Sequence, residues 1–458
     1  MKNVISFAII LGSLSFALGC ATTVKRNDYA SLFAIPEKSF KEHSSSLAST
    51  NKMGPAGIIT LDDALEAALE RYPGLAASRH QIKARKGAAW QAGRLPNPTL
   101  SGEIEEFGGS GDYSGSDLMV SRIGISQEIP LGGQIGRRVQ VAQIEADIAS
   151  LQYDARTLAL RTEVRKRFLR VYMLQEQLKL EKESLRLARA LGETVDGRVV
   201  SGEASPLDKT KVMVKLASSE FGVERVRREL DAAKYVLASS WGQDAPGFSS
   251  VRADFQTLIE LPGKTNLLKL LENNPAYGIL KKKVAQSSAS HELARAEGWM
   301  EIEIGGGVQH FRETDDHAYF LELSIPIPIF NRNRGRIEET RHLYHESVKD
   351  HETGLIALKT NLLETAQKLR AAQEAFLTMQ NTVIPAAQKA FAAVRKAYEA
   401  GEQGYLELLE AERTLLDTRR ERLVLFSELQ ELMVEVDALT AEALRKDPIN
   451  NKESKYGS

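Results

Sequence analysis

The most regular pattern along the chain is a stripe of apolar and small residues that recurs every three or four positions, and it occurs twice. In the first half the stripe comprises Val212, Leu216, Ser219, Val223, Val226, Leu230, Ala233 and Leu237. In the second half Leu425, Leu429, Leu432 and Val436 follow the last four of these positions by 199 residues. Alternating steps of three and four are typical of helices that pack as coiled coils. Their recurrence at one offset predicts an internal duplication.

Short motifs extend the duplication beyond the stripe. Residues 200–208 and 399–407 share a Gly-Glu pair, a leucine and a final acidic residue at the same offset of 199. Upstream, Tyr72-Pro73 pairs with Asn274-Pro275, and an Ile-Pro motif at residue 129 pairs with another at residue 327, at offsets of 202 and 198. We therefore predict one repeat from about residue 60 to 242 and a second from about residue 265 to 441.

The first repeat is predicted to open with a short helix and to close with a long helix pair. Thr60 and Asp63 form a capping-box pattern at the start of the first helix, which Pro73-Gly74 interrupts. The long helix covers residues 135–191, which is about 57 residues or roughly 85 Å. Residues 192–205 are predicted to form the turn, and a returning helix begins at Pro206 and runs to about residue 240.

The second repeat is predicted to follow the same plan. One long helix covers residues 336–398 and bends at Pro385, because proline cannot donate the backbone hydrogen bond that a continuous helix needs. The turn falls at residues 400–405, and the returning helix runs to about residue 443. A helix pair of this length is too long for a compact domain and indicates a rod or a tube.

Between the short and the long helices each repeat carries two strand candidates. They cover residues 99–107 and 117–129 in the first repeat, and residues 301–311 and 317–327 in the second. Strands of about 9–11 residues suit a tilted membrane crossing, and they also suit an ordinary sandwich. Because four strands cannot close a barrel and lipid does not tolerate open sheet edges, a membrane location would require several chains.

Composition narrows the class of protein. The chain has 458 residues and a net charge of -1, which gives no reason to expect nucleic acid as a partner. Charged residues make up 26% and aromatic residues 7%, a mixture that favours long helices over a compact enzyme. The single cysteine, Cys20, excludes a disulfide framework.

The N-terminus has the pattern of an export signal. Lys2 precedes a mostly apolar run over residues 4–18, which is too short for a membrane span. Gly19-Cys20 closes this run and resembles the lipobox of bacterial lipoproteins, which implies a lipid on Cys20, although Ala17 stands where the pattern prefers leucine. The alternative is an ordinary cleaved signal peptide with an incidental cysteine.

The order of these features resembles one family. Asn97-Pro98 precedes the first strand pair, Ile-Pro-Leu-Gly-Gly follows it at residues 129–133, and Pro-Ile-Pro-Ile-Phe-Asn-Arg-Asn-Arg-Gly follows the second at residues 326–335. Together with the doubled helix tips, this order resembles the TolC-like outer-membrane efflux proteins, and most of all their heavy-metal-efflux, CzcC-like branch. The resemblance covers about residues 58–445.

The resemblance implies a mainly α fold with a β-barrel portion. Long antiparallel helical hairpins would form a periplasmic tube, and four membrane strands per chain would build a 12-stranded barrel in a homotrimer. The expected segments are a signal peptide (1–19), a lipid-anchored N-terminal linker (20–57), the first TolC-like repeat (58–242), an inter-repeat linker (243–264), the second repeat (265–445) and a polar C-terminal tail (446–458).

The resemblance also implies partners for the two helix tips. The tips, Val200, Ser201, Gly202 and Glu203 in the first repeat and Ala400, Gly401, Glu402 and Gln403 in the second, would dock a periplasmic adaptor that serves an inner-membrane pump of the RND type. A glycine at each tip suits a turn with positive φ. The acidic residues Asp196, Glu203, Asp208 and Glu402 are candidates for a ring that favours cations in the pore.

No motif points to catalysis or to a resident cofactor. His342, His345 and His351 share a predicted helix but lack the partners of a metal site, so they are interpreted as solvated or lumenal residues. His310 and His317 are expected in the loop at the second hairpin tip. Gly305-Gly306-Gly307 lies inside a strand candidate and is not a nucleotide-binding loop. We predict no enzyme, no cofactor and no metal site.

The leading hypothesis is a passive outer-membrane channel of a tripartite efflux pump that exports metal cations or small toxic compounds. Two alternatives remain open. The same fold serves as the outer-membrane duct of type I protein secretion. A periplasmic coiled-coil lipoprotein without a pore would explain the helices but would need no strands of membrane length.

Overall fold

A computed structural model describes residues 54–202, 205–255 and 260–441. The signal peptide, Cys20, the tip residue Glu203 and the polar tail at 446–458 lie outside the described residues. The described chain is mainly helical, as predicted, and has six strands, of which four were predicted. None of its helices combines the length and the apolar character that a membrane span requires.

The elements follow one another in the order that the duplication predicts. The helices are α1 Leu61–Arg71, α2 Pro73–Ala92, α3 Gln134–Val200, α4 Pro206–Ala238, α5 Lys264–Leu270, α6 Pro275–Ala296, α7 Arg334–Thr378, α8 Ile384–Glu399 and α9 Tyr405–Leu439. The strands are β1 Gly57–Ile59, β2 Thr99–Glu105, β3 Val120–Pro130, β4 Phe248–Val251, β5 Glu301–Phe311 and β6 Asp316–Ser324. Helix α2 of the first repeat corresponds to α6 of the second, and strands β2 and β3 correspond to β5 and β6. Helix α3 corresponds to α7 together with α8, and α4 corresponds to α9.

Local sequence signals set several helix starts. The Thr60 backbone N–H donates to Asp63 Oδ2 at 2.8 Å and the Asp63 N–H donates to Thr60 Oγ1 at 3.3 Å, which confirms the capping box. Pro73 and Pro275 each occupy the first turn of a helix, where a missing N–H costs nothing. The Asn274 side chain caps the start of α6 and also donates to Leu439 O at 3.0 Å, which ties α6 to the end of α9.

The segment 243–264, expected to be a linker, contains a strand that the sequence analysis did not predict. Strand β4 pairs in parallel with β1, and both join the buried cluster around Trp241 and Phe168. The Gln175 side chain on α3 binds both backbone groups of Val251, at 2.8 Å and 2.9 Å. A four-residue strand is too short to show an alternating pattern, and only its pairing with β1 reveals it.

The long hairpin of the first repeat is longer than predicted. Helix α3 has 67 residues, about 100 Å at 1.5 Å per residue. The turn begins at Ser201 and not at Gly192. Gly192 stays helical because it faces α4, where an added Cβ would lie 3.3 Å from Val212 Cγ1. This glycine permits close helix packing and does not end the helix. The predicted stripe on α4 is the buried side of the pair, with Val226 and Leu237 fully buried.

The second repeat contains a π turn, Met379–Val383, between α7 and α8. It lies just before Pro385, where the sequence predicted a bend. Upstream of the π turn, equivalent buried residues such as Val164 and Leu362 are 198 positions apart. Downstream, Gly202 and Gly401 are 199 positions apart. The π turn therefore accommodates one additional residue in the second repeat, because such a turn widens the helix by a single residue.

Four strands form one antiparallel sheet in the order β2-β3-β5-β6. Strand β3 starts at Val120, three residues later than predicted, and β6 ends at Ser324 before the proline-rich segment, because Pro326 and Pro328 cannot donate ladder hydrogen bonds. His310 and His317, expected in a loop, lie within β5 and β6 and face each other across the ladder. That expectation was wrong because the turn comprises only residues 312–315.

Gly124 and Gly307 lie where the strands of the sheet pack closely against each other. A Cβ on Gly307 would lie 2.1 Å from the Ile123 carbonyl oxygen and 2.7 Å from Gly124 Cα. The Phe320 ring of the neighbouring strand covers both glycines, with its Cζ 2.8 Å and 3.0 Å from the positions of the two absent Cβ atoms. Glycine is required here because no side chain fits between these strands, as at the tight bends of curved sheets.

Candidate functional site at the helix tips and the sheet

Both helix pairs end in the same backbone geometry. Gly202 and Gly401 have φ of 79° and 78°, the left-handed conformation predicted for the tip glycines. The Gly202 N–H donates to Val199 O at 3.2 Å, and the Gly401 N–H donates to Tyr398 O at 3.0 Å. In the second tip the Glu402 N–H also donates to Ala397 O at 2.9 Å, which completes a Schellman motif. Each tip is a tight turn whose exposed residues project beyond the helices.

The two tips lie side by side at one end of the molecule. A shared buried cluster, Leu191, Val195, Val212, Tyr398, Tyr405 and Leu408, joins α3 and α4 of the first repeat to α8 and α9 of the second. The Arg198 guanidinium lies 5.0 Å from the centre of the Tyr398 ring, a cation–π contact between the repeats. The tips therefore form one surface, with Val200 at its edge 90% exposed.

Two buried polar groups lie just inside this surface. Burial, reinforced by the nearby carboxylates of Glu412 and Asp208, raises the pKa of Tyr405 to about 12. Burial also raises the pKa of Glu412, and Lys215, 3.8 Å away, counteracts part of that shift. The Glu412 carboxyl is 3% exposed. This part of the helix pairs therefore contains a carboxyl group that is costly to ionise.

The candidate acidic ring has mixed surroundings. Asp196 pairs with Lys209 at 3.1 Å, and Asp208 pairs with Lys211 at 3.2 Å, so lysines of α4 offset both charges. Glu402 is exposed at the second tip. Glu203 lies outside the described residues. Among the described residues of the candidate set, Glu402 is therefore the one that has no lysine or arginine within ion-pair distance.

The sheet has one apolar face, and that face is exposed. The register brings together on this side large apolar side chains from all four strands: Leu100, Ile104, Ile123, Ile125, Ile304, Val308, Tyr319, Leu321 and Leu323. Tyr319 and Leu321 are 88% and 93% exposed. An exposed apolar surface of this extent marks contact with lipid or with another chain.

The opposite face is polar. Arg122 lies 3.5 Å from Glu103 and 3.2 Å from Glu105, and it donates to Gln309 Oε1 at 3.1 Å. Strands β2 and β6 form the two edges of the sheet. One apolar face, one polar face and two edges that lack partners within the chain are typical of a segment of a larger membrane sheet.

The histidines on the helix show no metal-binding arrangement. His342 lies 3.0 Å from Glu338 on the same helix, and His351 packs 6.4 Å from the ring of Tyr277. Among the described residues, no group of three or more His, Cys, Asp or Glu side chains is placed to hold a metal ion.

The sequence profile described as "Outer membrane efflux protein" matches residues 64–243 and 267–441, so its two matched segments lie within the two repeats. These segments cover most of the chain. The protein belongs to the outer membrane efflux protein family. Membership of this family assigns the chain to transport across the outer membrane and not to catalysis.

Two relatives are similar to this chain over most of their length and of its own. The chain is 27% identical over 364 residues to the cobalt-zinc-cadmium resistance protein CzcC of Cupriavidus metallidurans, covering 80% of this chain and 85% of that protein. It is 25% identical over 382 residues to the pyoverdine export outer membrane protein OpmQ of Pseudomonas aeruginosa, covering 78% and 80%. The similarity to CzcC agrees with the heavy-metal-efflux branch to which the sequence motifs pointed.

Solved structures share the fold. The outer-membrane channel OprN superposes with a TM-score of 0.72 at 17% identity, covering 84% of this chain and 90% of that one. The outer membrane protein VceC of Vibrio cholerae superposes with a TM-score of 0.70 at 18% identity, covering 84% and 97%. At this level of identity the comparison establishes the architecture alone.

Proposed function

We propose that this protein is the outer-membrane channel of a tripartite efflux pump and carries metal cations or small toxic compounds out of the periplasm. The proposal rests on two features that occur together in one chain, a sheet with an exposed apolar face and very long helices. An exposed apolar sheet face suits the lipid bilayer, and a helix of about 100 Å, α3, extends far beyond the thickness of a bilayer. Such a chain conducts its cargo passively, and the pump supplies the energy.

The homotrimer that the family resemblance implies is compatible with the duplication. Within the chain α9 packs against α3. By the repeat equivalence, the matching contact would join α4 to α7 and α8. It is not among the major helix contacts within the described chain. A second copy supplies this contact if the first interface is repeated around an axis. Head-to-tail contacts of this type close into a ring, and six repeats in three chains form a quasi-six-fold tube.

The outer side of α4 has the pattern that such a contact needs. Leu207, Val214, Phe221 and Tyr235 are spaced by seven residues or a multiple of seven, and all are at least half exposed. This second apolar stripe lies off the buried stripe that faces α3. A seven-residue spacing keeps the side chains on one line along a supercoiled partner.

The sheet supports the same assembly. Strand β6 of one chain pairs with β2 of the next, so that twelve strands close into one barrel and no edge faces lipid. The apolar face then lies outward and the polar face with Arg122 and Glu103 lines the lumen. We further propose that lipid on Cys20 anchors the N-terminal linker in the same membrane, and that the segments given above from residue 20 onward describe the mature chain.

At the other end, the paired tips dock the hairpins of a periplasmic adaptor that connects to an inner-membrane pump of the RND type. Val200, Ser201, Gly202 and Glu203 form one docking loop, and Ala400, Gly401, Glu402 and Gln403 form the other. Left-handed glycines keep the backbone of each loop accessible. Glu203 and Glu402 are the main carriers of the proposed cation-favouring ring, because lysines already balance Asp196 and Asp208.

The proposed cargo follows the relatives named for cobalt, zinc and cadmium resistance and for pyoverdine export. Both names concern small solutes, which favours a small-solute pump over type I protein secretion. A coiled-coil lipoprotein without a pore is disfavoured by family membership and by the exposed apolar sheet face.

Planar-bilayer conductance of the purified protein tests the pore. Folded trimers are expected to give discrete current steps. Trimers that are folded by circular dichroism and silent over many insertions would refute a duct. Resistance assays test the cargo: a strain deleted for the gene should become sensitive to cobalt, zinc or cadmium salts, and plasmid-borne protein should restore resistance. Sensitivity to organic toxicants alone would move the cargo to that class.

Cross-linking tests the trimer contact. Within the chain, Lys166 and Glu435 are 2.7 Å apart. By the repeat equivalence Lys166 corresponds to Glu364, and Glu435 corresponds to Val236. We therefore expect Glu364 of one copy to lie beside Val236 of a neighbouring copy. A Val236→Cys, Glu364→Cys variant in a Cys20→Ser background should form linked dimers and trimers with a short bismaleimide. The matched control pairs Val236→Cys with Glu338→Cys, 26 positions away on α7, and should remain monomeric on a denaturing gel. The reverse result would contradict this packing.

A further inference from the structure

Two histidines face each other near the turn of the β5–β6 hairpin. His310 and His317 are directly paired across the antiparallel ladder, so both side chains project from the same side of the sheet. Their ring centres are 4.7 Å apart and the ring planes are inclined by 39°. This end of the sheet is the one farthest from the strand-to-helix connections at Pro130 and Ser324.

The surroundings fix the tautomer of one ring. The Nδ1 of His310 lies 3.2 Å from the Asp316 carbonyl oxygen, which can only accept a hydrogen bond. Nδ1 therefore carries the proton in the neutral ring, and Nε2 carries the free lone pair. Histidine ligands in metal sites are commonly oriented in this way, with one ring nitrogen bound to a carbonyl group and the other turned to the metal.

A carboxylate lies beside the free nitrogen. Asp315 Oδ1 is 3.7 Å from His310 Nε2, and the Asp315 side chain is 95% exposed. Asp315 has a φ of 59°, the left-handed conformation that closes the hairpin turn and brings its side chain back beside the strand. An acidic group at this position favours a cation next to the imidazole pair.

We propose that His310 and His317 chelate a divalent transition-metal ion of the borderline class, such as Ni²⁺, Co²⁺ or Zn²⁺. Two imidazoles occupy two coordination positions, and water fills the others. Asp315 contributes charge and an outer hydrogen-bond acceptor. The site is open and has fewer than three protein ligands, so it binds reversibly and more weakly than a structural zinc site.

Imidazole nitrogen determines which ions fit. Ni²⁺, Co²⁺, Cu²⁺ and Zn²⁺ favour it, whereas Mg²⁺ and Ca²⁺ require oxygen ligands. The backbone ladder already holds the two rings close together, so little side-chain freedom is lost when the ion binds. An ion held between β5 and β6 also stabilises the pairing of these two strands.

This site is distinct from the transport path of the proposed function. The histidine pair lies on the apolar side of the sheet with Val308 and Tyr319, and not on the polar side with Arg122. Its occupancy therefore does not require transport, and binding can be measured on protein that transports nothing.

Calorimetric titration of the purified full-length protein with NiCl₂ tests the proposal. One saturable site per chain is expected. His310→Phe and His317→Phe keep an aromatic ring at each position, preserve the cross-strand packing, and should each abolish that site. Asp315→Asn should weaken it about tenfold or less, as an outer partner does. The matched control, His342→Phe with His345→Phe on α7, removes two exposed histidines elsewhere and should leave the site unchanged.

Electron paramagnetic resonance with one equivalent of Cu²⁺ supplies a second readout. The wild-type spectrum should contain splitting from two imidazole nitrogens, and His317→Phe should reduce it to one or none. Nickel binding that survives the double variant His310→Phe, His317→Phe, or that disappears in the α7 control, overturns the proposal. Without metal, each variant should have the same midpoint temperature of thermal unfolding as the wild type. This result would show that a loss of metal binding is local and does not reflect misfolding.

Discussion

Arg165 of α3 and Asp437 of α9 lie 3.6 Å apart, and their side chains are 5% and 1% exposed. This ion pair joins the first repeat to the second inside the packed helices. Removing one partner of a buried pair leaves the other charge without its counterion in a medium that solvates it poorly. The pair is therefore a point at which the attachment of the two repeats can be tested.

Asp437→Asn is expected to lower the free energy of unfolding by about 3–5 kcal/mol, because it removes a buried carboxylate from beside the buried Arg165 guanidinium. Chemical denaturation followed by circular dichroism measures the change. The control is Glu435→Gln on the same helix. Its partner Lys166 is 40% exposed, so water replaces the lost contact and the cost is about 1 kcal/mol or less. Equal costs for the two variants would show that this buried pair does not hold the repeats together.

The tip glycines are expected to matter for efflux more than for folding. Gly202→Arg combined with Gly401→Arg adds bulk and charge at both proposed docking loops, at a cost of about 1–2 kcal/mol for each left-handed residue. Resistance should be lost while trimers persist on a native gel.

Two controls separate docking from backbone strain at the tips. Gly202→Asn with Gly401→Asn should retain resistance, because asparagine tolerates positive φ. Gly136→Arg adds a single arginine at the far end of α3, where no atom would meet an added Cβ, and should also leave resistance unchanged. Normal resistance in the double arginine variant would argue against docking at the tips.

The two faces of β6 are expected to respond differently to charge. Leu321→Lys places a cation on the apolar face and should cost about 2–4 kcal/mol if that face lies at the middle of a bilayer. Less protein should then be recovered as heat-resistant trimer from outer membranes. Glu322→Lys, at the neighbouring position on the polar face, makes a larger change in charge and should assemble normally. If Glu322→Lys blocks assembly and Leu321→Lys does not, the assignment of the faces is reversed.

Glu412 predicts a pH dependence of stability. Burial raises the pKa of this carboxyl, so the folded chain holds the proton more tightly than the unfolded chain. Stability contributed by this group is therefore present below the unfolded pKa and is lost as pH rises through the folded value. Glu412→Gln removes this loss.

The thermal midpoint of Glu412→Gln should exceed that of the wild type at pH 7, and the difference should vanish below pH 4.5, the ordinary value for glutamate. Differential scanning calorimetry across this range measures it. Glu410→Gln, exposed on the same helix, should show no such trend. A difference that is independent of pH would mean that Glu412 acts through packing and not through its charge.

Much of the fold was predictable because its strongest determinants are periodic or local. The three-four stripe ending at Leu237 identified the buried side of α4, and Thr60 with Asp63 marked a helix start through chemistry that acts within one turn. The tip glycines were identifiable because a helix end with positive φ has a narrow residue preference. Each of these signals is complete within a few neighbouring residues.

The features that the sequence did not predict depend on contacts between distant segments. Gly192 looked like a helix terminator, and only its proximity to Val212 shows that it accommodates a neighbouring helix. The strand at residues 248–251 exists through its pairing with β1 and through Gln175. The lysine that balances Asp196 is Lys209 of α4, across the helix turn, and sequence spacing alone did not show this contact.

The π turn at Met379–Val383 makes the two halves of the chain non-interchangeable. The π turn absorbs the additional residue, which around an ordinary helix would rotate everything beyond it by about 100°, so straightening this turn would bring the wrong side chains to the shared cluster. In the proposed trimer, two kinds of arm would alternate. A partner at the tip end would then encounter two classes of site, three of each, and a partner with a single binding surface would have to tolerate both or occupy half of them.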